Sequence, residues 1–125
     1  MIKMIFYFYF EYFILQMSTQ CVRIQRKNGQ IITNCDVYIG RSCYYGGWKL
    51  PASIWQNPYS VTTYGRDEAL RLYREYIIKR KDLLGRLEEL RGKTLGCWCL
   101  GREKGEPCHG EILIELLESF IKIDN

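Results

Sequence analysis

Three cysteines and one histidine lie within thirteen residues near the carboxyl end of the chain. Cys97 and Cys99 flank a tryptophan, and Cys108 and His109 follow a proline. Thiolate and imidazole are ligands that Zn²⁺ prefers, so this set predicts a tetrahedral zinc site. The spacing is irregular, because C-x-C is tighter than the usual C-x₂₋₄-C and the adjacent Cys108 and His109 must point the same way.

Cys108 and His109 also allow a second interpretation, a reactive thiol. Both residues lie at the start of a predicted helix, where backbone N–H groups and the helix dipole attract anions and lower the pKa of a thiol. A thiolate beside an imidazole is also the pairing that nucleophilic catalysis requires. A third interpretation is that buried thiols pack the loop and His109 caps the helix.

A second group of polar residues follows a buried strand that ends at Gly40. The guanidinium of Arg41 is a planar fork that matches carboxylate or phosphate, and Gly40 lets the backbone approach a ligand closely. Asn57 precedes a proline, which holds it extended and leaves its amide as donor and acceptor. We expect these residues to bind an anionic ligand, a nucleotide or a nucleic-acid phosphate. An ion pair of Arg41 with Asp36 or Glu111 is the alternative.

The elements that position these residues follow the order β, β, β, loop, α, α, β, loop, α. Alternation over residues 21–25 predicts a strand, and the Asn28-Gly29 turn predicts a hairpin with residues 31–33. Apolar residues at helical spacing predict the three helices, at 66–81, 82–90 and 110–123.

Two further strands, near residues 36–39 and 93–97, are joined through helices, which makes them parallel neighbours. The predicted fold class is therefore α/β, a small single domain whose short mixed sheet contains this parallel pair and is covered by three helices. Ligands of such sheets bind outside the carboxyl ends of the strands. The loops 40–64 and 98–109 each follow a strand end, so we expect them to meet at one composite site.

Length and composition indicate one domain. The chain has 125 residues, 47% hydrophobic and 26% charged, which excludes wholesale disorder. Residues 1–16 form an apolar leader with seven of the aromatics, but Lys3 and Glu11 interrupt a run too short for a transmembrane span. We expect Met17 to be the working initiator and residues 17–125 to form the domain. A membrane or partner anchor, or a packed element, is the alternative for the leader.

Net charge and cysteine content limit the kinds of ligand and the cellular compartment that we expect. The formal net charge of +4 suits an anionic ligand but is well below that of a committed nucleic-acid binder. Six cysteines without a convincing signal peptide favour an intracellular, reducing compartment with free or metal-bound thiols. Cys21 and Cys35 fall in apolar strands, and they are interpreted as buried small hydrophobes.

Several motifs, in this order, resemble one family, the domain of unknown function 4326 of phages, bacteria and large DNA viruses. They are residues 36–41 (DVYIGR), 46–51 (GGWKLP), 55–59 (WQNPY), 96–99 (GCWC) and 107–110 (PCHG). The likeness spans residues 21 to about 118. The linker 100–106 is longer than is typical, and the leader has no counterpart, which supports a start at Met17. The resemblance implies a shared fold and site and a viral or phage setting, hence the host-cell cytoplasm, but no reaction.

These observations predict one composite site. Arg41 and Asn57 would hold the anionic ligand, and the four Cys and His ligands named above would bind zinc and form the opposite wall. The alternatives are a reactive-thiol enzyme that uses Cys108 and His109, and an interaction module with structural zinc and no catalysis.

Overall fold

The computed structural model describes residues 18–98 and 107–123. The predicted leader and Cys99 lie outside these residues. Within the described part of the chain, no helix combines the length and the apolar character needed to cross a bilayer.

A three-stranded parallel sheet forms the centre of the domain. Its strands, in spatial order, are β1 (Gln20–Arg23), β5 (Thr94–Cys97) and β4 (Val37–Tyr38). Leu95 of the central strand is in register with Cys21 on one side and Val37 on the other. The parallel pair predicted near residues 36–39 and 93–97 is confirmed.

The hairpin at the Asn28-Gly29 turn differs from its prediction. The strand expected over residues 21–25 divides at Ile24, and only β2 (Gln25–Lys27) pairs antiparallel with β3 (Gln30–Thr33). Ile24 is 1% exposed and its N–H donates to the Cys97 carbonyl at 3.2 Å. Pairing with β5 buries apolar surface that an isolated two-stranded hairpin cannot bury, so the first half of the strand joins the parallel sheet. Antiparallel pairing therefore occurs in a second, separate sheet.

The described residues contain four α-helices and one 3₁₀ helix. These are α1 (Val61–Tyr64), α2 (Arg66–Lys79), α3 (Lys81–Leu84), the 3₁₀ helix (Leu87–Leu90) and α4 (His109–Ile123). The α/β class is confirmed, with four helices instead of three. The additional helix α1 closes the long loop, because the Ser60 hydroxyl accepts a hydrogen bond from the N–H of Thr63 and caps it. The helix predicted over 82–90 is interrupted after α3, near Gly85, and continues as the 3₁₀ turn.

The core lies between the sheet and the helices α2 and α4. Tyr73 of α2 is completely buried, its hydroxyl donates to the Trp55 carbonyl at 2.7 Å, and its ring meets the edge of His109. Trp55 is 3% exposed, so the loop after β4 is anchored in the core. This anchoring positions the loop beside the carboxyl ends of the strands.

Removing the Tyr73 hydroxyl tests this anchor. We expect Tyr73→Phe to lower the free energy of unfolding by about 1–2 kcal/mol, because the buried Trp55 carbonyl loses its donor. Urea denaturation followed by circular dichroism measures the change. The matched control is Tyr64→Phe, which removes a hydroxyl from a side chain that is 47% exposed and should change stability by less than about 0.5 kcal/mol. Equal effects of the two substitutions would contradict the role of Tyr73.

Candidate functional site

A cleft of about 280 Å³ opens at the carboxyl ends of β4 and β5. Residues of the loop after β4 line it, together with described residues on either side of 99–106. The loop after β4 contributes Gly40, Arg41, Asn57 and Tyr59, and the residues on either side of 99–106 are Trp98, Pro107, Cys108 and His109. Two stretches far apart in sequence thus form one site, at the place where parallel sheets present their ligands.

Three cysteine sulfurs lie together at the base of this region. The Sγ atom of Cys108 is 3.3 Å from those of Cys21 and Cys97, and the latter two are 3.8 Å apart. Cys97 and Cys108 are buried and also line the cleft. No disulfide joins the described cysteines, and these three atoms form a group that could hold a metal ion.

Mutual contact and burial raise the pKa of the Cys21 and Cys108 thiols, which keeps these two protonated. Hydrogen bonds with Cys108 and Cys97 raise the pKa of Cys21, and burial adds to the rise. The contact with Cys21 lowers the pKa of Cys108, but the bond with Cys97 and burial outweigh it and raise that pKa to about 12. A thiolate here would face other sulfurs in a dry environment, so ionisation is unfavourable unless a cation is bound.

The structure assembles a different set from the predicted zinc ligands. It brings Cys97 and Cys108 together as expected, while Cys99 lies outside the described residues. The ring nitrogens of His109 are not members of the group, and Cys21, interpreted as a buried hydrophobe, takes the third position. The signal for Cys21 would have been a prediction that β1 pairs with β5. That pairing sets Cys21 opposite Leu95, two residues from Cys97 on the same face of the sheet, and the two sulfurs lie 3.8 Å apart.

His109 is held inside the protein by a backbone carbonyl. Its Nε2 atom is 2.7 Å from the Ile39 oxygen, and since a carbonyl only accepts, Nε2 carries the hydrogen. Burial lowers the pKa of His109, and the Ile39 carbonyl offsets this only in part. The imidazole is therefore neutral, and it fixes the start of α4 against the end of β4.

Arg41 and Asn57 meet, although not as two independent ligand-binding groups. The guanidinium of Arg41 donates through two nitrogens to the Asn57 carbonyl, at 3.2 and 3.3 Å. The Asn57 amide is engaged within the protein, because its Oδ1 accepts from the Tyr59 N–H and its Nδ2 donates to the Ala69 carbonyl. Asn57 thus positions Arg41. The predicted ion pair of Arg41 with Asp36 or Glu111 does not form, and Asp36 instead accepts from the N–H of Thr94.

Gly40 lines the cleft, and a contact not predicted from the sequence requires a glycine there. A Cβ atom at this position would lie 2.5 Å from the hydroxyl oxygen of Tyr38. That hydroxyl donates to the Arg41 carbonyl and accepts from the Trp98 indole at 2.8 Å. The glycine therefore makes room for a tyrosine that ties the two loops together.

Several residues of the cleft were missed by reasoning from sequence. Arg66, interpreted only as the start of a helix, lines the cleft and donates to the Pro107 carbonyl at 3.1 Å. Ser60 and Thr62 add hydroxyl groups, and Leu70 adds an apolar side chain. None of these has a local sequence signal, because only the packing of α1 and α2 brings them to the sheet edge.

The glycines of the GCWC and PCHG motifs are required by neighbouring sulfurs. A Cβ at Gly96 would lie 2.4 Å from the sulfur of Cys35, and one at Gly110 would lie 2.5 Å from the sulfur of Cys21. Contacts this short do not occur between real atoms, so both positions need a residue without a side chain. The cysteines of one half of the chain and the glycines of the other are therefore fitted to each other.

Fold and site together define a small α/β domain with a cysteine-walled cleft at the edge of a parallel sheet. The chain belongs to the family described as domain of unknown function (DUF4326), which matches residues 22–119. It is 45% identical over 108 residues to an uncharacterized protein of Acanthamoeba polyphaga mimivirus, covering 82% of each chain. It is 32% identical over 76 residues to an uncharacterized 12.4 kDa protein in the nrdA-td intergenic region of Enterobacteria phage T4, covering 58% of this chain and 67% of that one. No solved structure matches. The resemblance seen in the motifs is confirmed.

Proposed function

We propose that the domain binds a phosphate-bearing ligand of the nucleotide class in this cleft, beside a structural zinc ion held by Cys21, Cys97 and Cys108. The observation that carries the proposal is the placement of Arg41. Its guanidinium is fixed at the edge of the cleft by a neutral carbonyl, and no described carboxylate pairs with it. An arginine that is held in place and has no carboxylate partner can bind an anionic ligand from solution.

The charges around the cleft support an anionic ligand. Arg66 lies among the lining residues together with Arg41, and the described lining contains no acidic side chain. The buried His109 is neutral and so neither adds to nor cancels this charge. The fifteen-residue helix α4 also begins at the cleft, and the partial positive charge of its N-terminus favours negative groups.

The remaining lining matches a nucleotide better than a bare phosphate. The rings of Tyr59 and Trp98 offer surfaces for a base, and the hydroxyl of Thr62 offers a partner for a sugar. The volume of about 280 Å³ lies near the lower end of small-ligand sites, which run from roughly 300 to 1,000 Å³. A single nucleotide is a ligand of that size.

The cysteine set fits zinc in chemistry and spacing. Sulfurs bound to one zinc ion at about 2.3 Å in a tetrahedral shell lie about 3.8 Å from one another. The separations of 3.3, 3.3 and 3.8 Å need only a small opening around Cys108 to reach that arrangement. When bound, zinc would neutralise the thiolates and tie β1, β5 and the start of α4 together. Cys99 stays a prediction as a fourth ligand.

The reactive-thiol interpretation receives less support. Cys108 is 2% exposed, contacts two other sulfurs, and has a raised pKa, whereas a nucleophilic thiol needs access and a lowered pKa. His109 donates its Nε2 hydrogen to the Ile39 carbonyl, so this nitrogen does not act as a base for the Cys108 thiol. An interaction module with structural zinc and no catalysis is the competing hypothesis, and it gives no reason for the position of Arg41 at the cleft.

Calorimetric titration with nucleoside mono- and triphosphates, inorganic phosphate and an uncharged nucleoside tests the cleft. We expect a nucleotide to bind more tightly than the nucleoside, and Arg41→Ala to weaken its binding by roughly 10- to 100-fold, since charged hydrogen bonds contribute about 1.5–3 kcal/mol. Arg41→Lys keeps the charge but loses the planar fork, so its affinity should be intermediate.

The matched control is Arg86→Ala, which removes a surface arginine that is paired with Glu89. This variant should bind the nucleotide like the wild type. If no phosphate compound binds, or if Arg41→Ala binds as tightly as Arg86→Ala, the nucleotide site is wrong and the interaction module is favoured.

A further inference from the structure

Beyond the cleft, we propose that an aromatic ridge formed by Tyr44, Tyr45 and Trp48 binds single-stranded nucleic acid, with its bases stacked on the two tyrosine rings. Tyr44 is 68% exposed and Tyr45 is 87% exposed, the highest values among the exposed large hydrophobic side chains of the described residues. Aromatic rings of this size normally find burial, so two adjacent ones facing water indicate a surface that meets a partner.

The ridge lies on a hydrogen-bonded turn between Cys43 and Leu50. Cys43 and Leu50 exchange two backbone hydrogen bonds, of 2.8 and 2.9 Å, and the Trp48 N–H donates to the Tyr45 carbonyl at 3.2 Å. Gly46 and Gly47 adopt positive φ angles of 65° and 86°, which let the chain reverse there. The tyrosines are thus held outward by backbone structure, which lowers the entropy cost of stacking a base on them.

The charge around the ridge selects an anionic partner. Arg26 lies over the Trp48 ring at 5.4 Å and donates to the Gly47 carbonyl, which fixes a guanidinium against the ridge. Residues 18–65 contain five Lys and Arg but only one acidic residue, Asp36. The Asp36 carboxylate accepts from the Thr94 N–H on the sheet. Exposed rings beside a positively charged side chain are the combination that proteins use for single strands, because every base has a face to stack and every linkage carries a phosphate.

A single strand suits this surface better than a duplex. The bases of a duplex are already stacked on each other, so they offer no free face to a tyrosine ring without unpairing. The ridge also adjoins the cleft, because Trp48 packs edge to face on Trp98 at 5.4 Å and Trp98 lines the cleft. If the cleft holds a nucleotide as proposed above, that nucleotide would be part of the same strand. The ridge itself does not depend on that site.

Fluorescence anisotropy with the full chain and a labelled oligothymidylate of twelve nucleotides tests whether the ridge binds a single strand. We expect the Tyr44→Ala, Tyr45→Ala double variant to bind at least about tenfold more weakly than the wild type, since each stacked base contributes about 1–3 kcal/mol. The Tyr44→Phe, Tyr45→Phe variant keeps the rings and should bind normally. The control Ile78→Ala removes an exposed apolar side chain from α2 and should have no effect. Circular dichroism checks that each variant is folded.

The outcomes separate this proposal from the nucleotide cleft. Loss of oligonucleotide binding in the alanine double variant, with unchanged binding of a mononucleotide, supports the ridge. If no mononucleotide binds but oligonucleotide binding still requires the tyrosines, the ridge proposal is supported and only the cleft proposal fails. The ridge proposal is overturned if the wild type binds no oligonucleotide, or if the alanine double variant binds like Ile78→Ala. It is also overturned if the tyrosines are needed only for binding to phosphatidylserine vesicles.

Discussion

Replacement of Cys108 by serine is expected to abolish binding of the proposed zinc ion and to lower the stability of the domain by several kcal/mol. The Cys108 sulfur contacts both other sulfurs of the set, at 3.3 Å, and it belongs to a 2% exposed side chain at the start of α4. A serine hydroxyl is a poor zinc ligand, and structural zinc contributes folding free energy outright. Mass spectrometric metal analysis should find about one zinc per wild-type chain and almost none in the variant.

The matched control for this experiment is Cys43→Ser. Cys43 is half-buried in the loop after β4, where its sulfur contacts only the Tyr45 carbonyl among the described partners, so the variant should keep its zinc. A chelator should lower the melting temperature of the wild type and of Cys43→Ser but not that of Cys108→Ser. A wild-type protein that is folded without metal and carries one rapidly alkylated thiol would reverse the assignment in favour of the reactive thiol.

The second large effect is expected from Gly110→Ala. An alanine in a helix ordinarily gains about 1 kcal/mol over glycine. Here its Cβ would lie 2.5 Å from the Cys21 sulfur and 2.9 Å from Cδ1 of Ile39. We expect the overpacking to lower the free energy of unfolding by about 1–3 kcal/mol and to weaken zinc retention, because the Cys21 sulfur must move.

A double-mutant cycle isolates the contact. In a Cys21→Ala background the sulfur is gone, so Gly110→Ala should cost clearly less there than in the wild type. The matched control is Gly85→Ala, because Gly85 has ordinary helical backbone angles and its nearest neighbour for a new Cβ is 3.5 Å away. This control should be neutral or stabilising. Equal costs of Gly110→Ala in both backgrounds would show that the sulfur contact does not limit the position.

Local patterns accounted for most of the elements and for part of the site. Apolar spacing identified α2 and α4 within two residues of their ends, and the crossover between residues 36–39 and 93–97 identified the parallel pair. The position of Arg41 after a strand end was enough to predict that it lines a cleft with the segment around Cys108. These features depend on neighbours along the chain, or on the general rule that strands joined through a helical crossover are parallel.

The hydrogen-bond and sulfur partners of individual side chains could not be predicted from the sequence, because tertiary packing selects them. Cys21 lies 87 residues from Cys108, and it reaches that sulfur only because β1 pairs with β5 instead of completing the hairpin. The Asn57 amide and the His109 ring have several possible partners in any sequence, and the choice of Tyr59, Ala69 and Ile39 depends on how the loops dock.

Residue patterns predicted the α/β class and the meeting of the segment after β4 with the segment around Cys108. They also placed Cys97 and Cys108 in one predicted ligand set, together with Cys99 and His109. Tertiary packing places Cys21 beside Cys97 and Cys108 and brings Arg66 to the cleft with Arg41. It also leaves no room for a side chain at Gly40, Gly96 and Gly110. The two kinds of feature differ because they depend on interactions of different range along the chain. Side-chain periodicity acts over one turn or one strand, whereas the choice of a strand partner is made by competing burial of apolar surface across the whole chain.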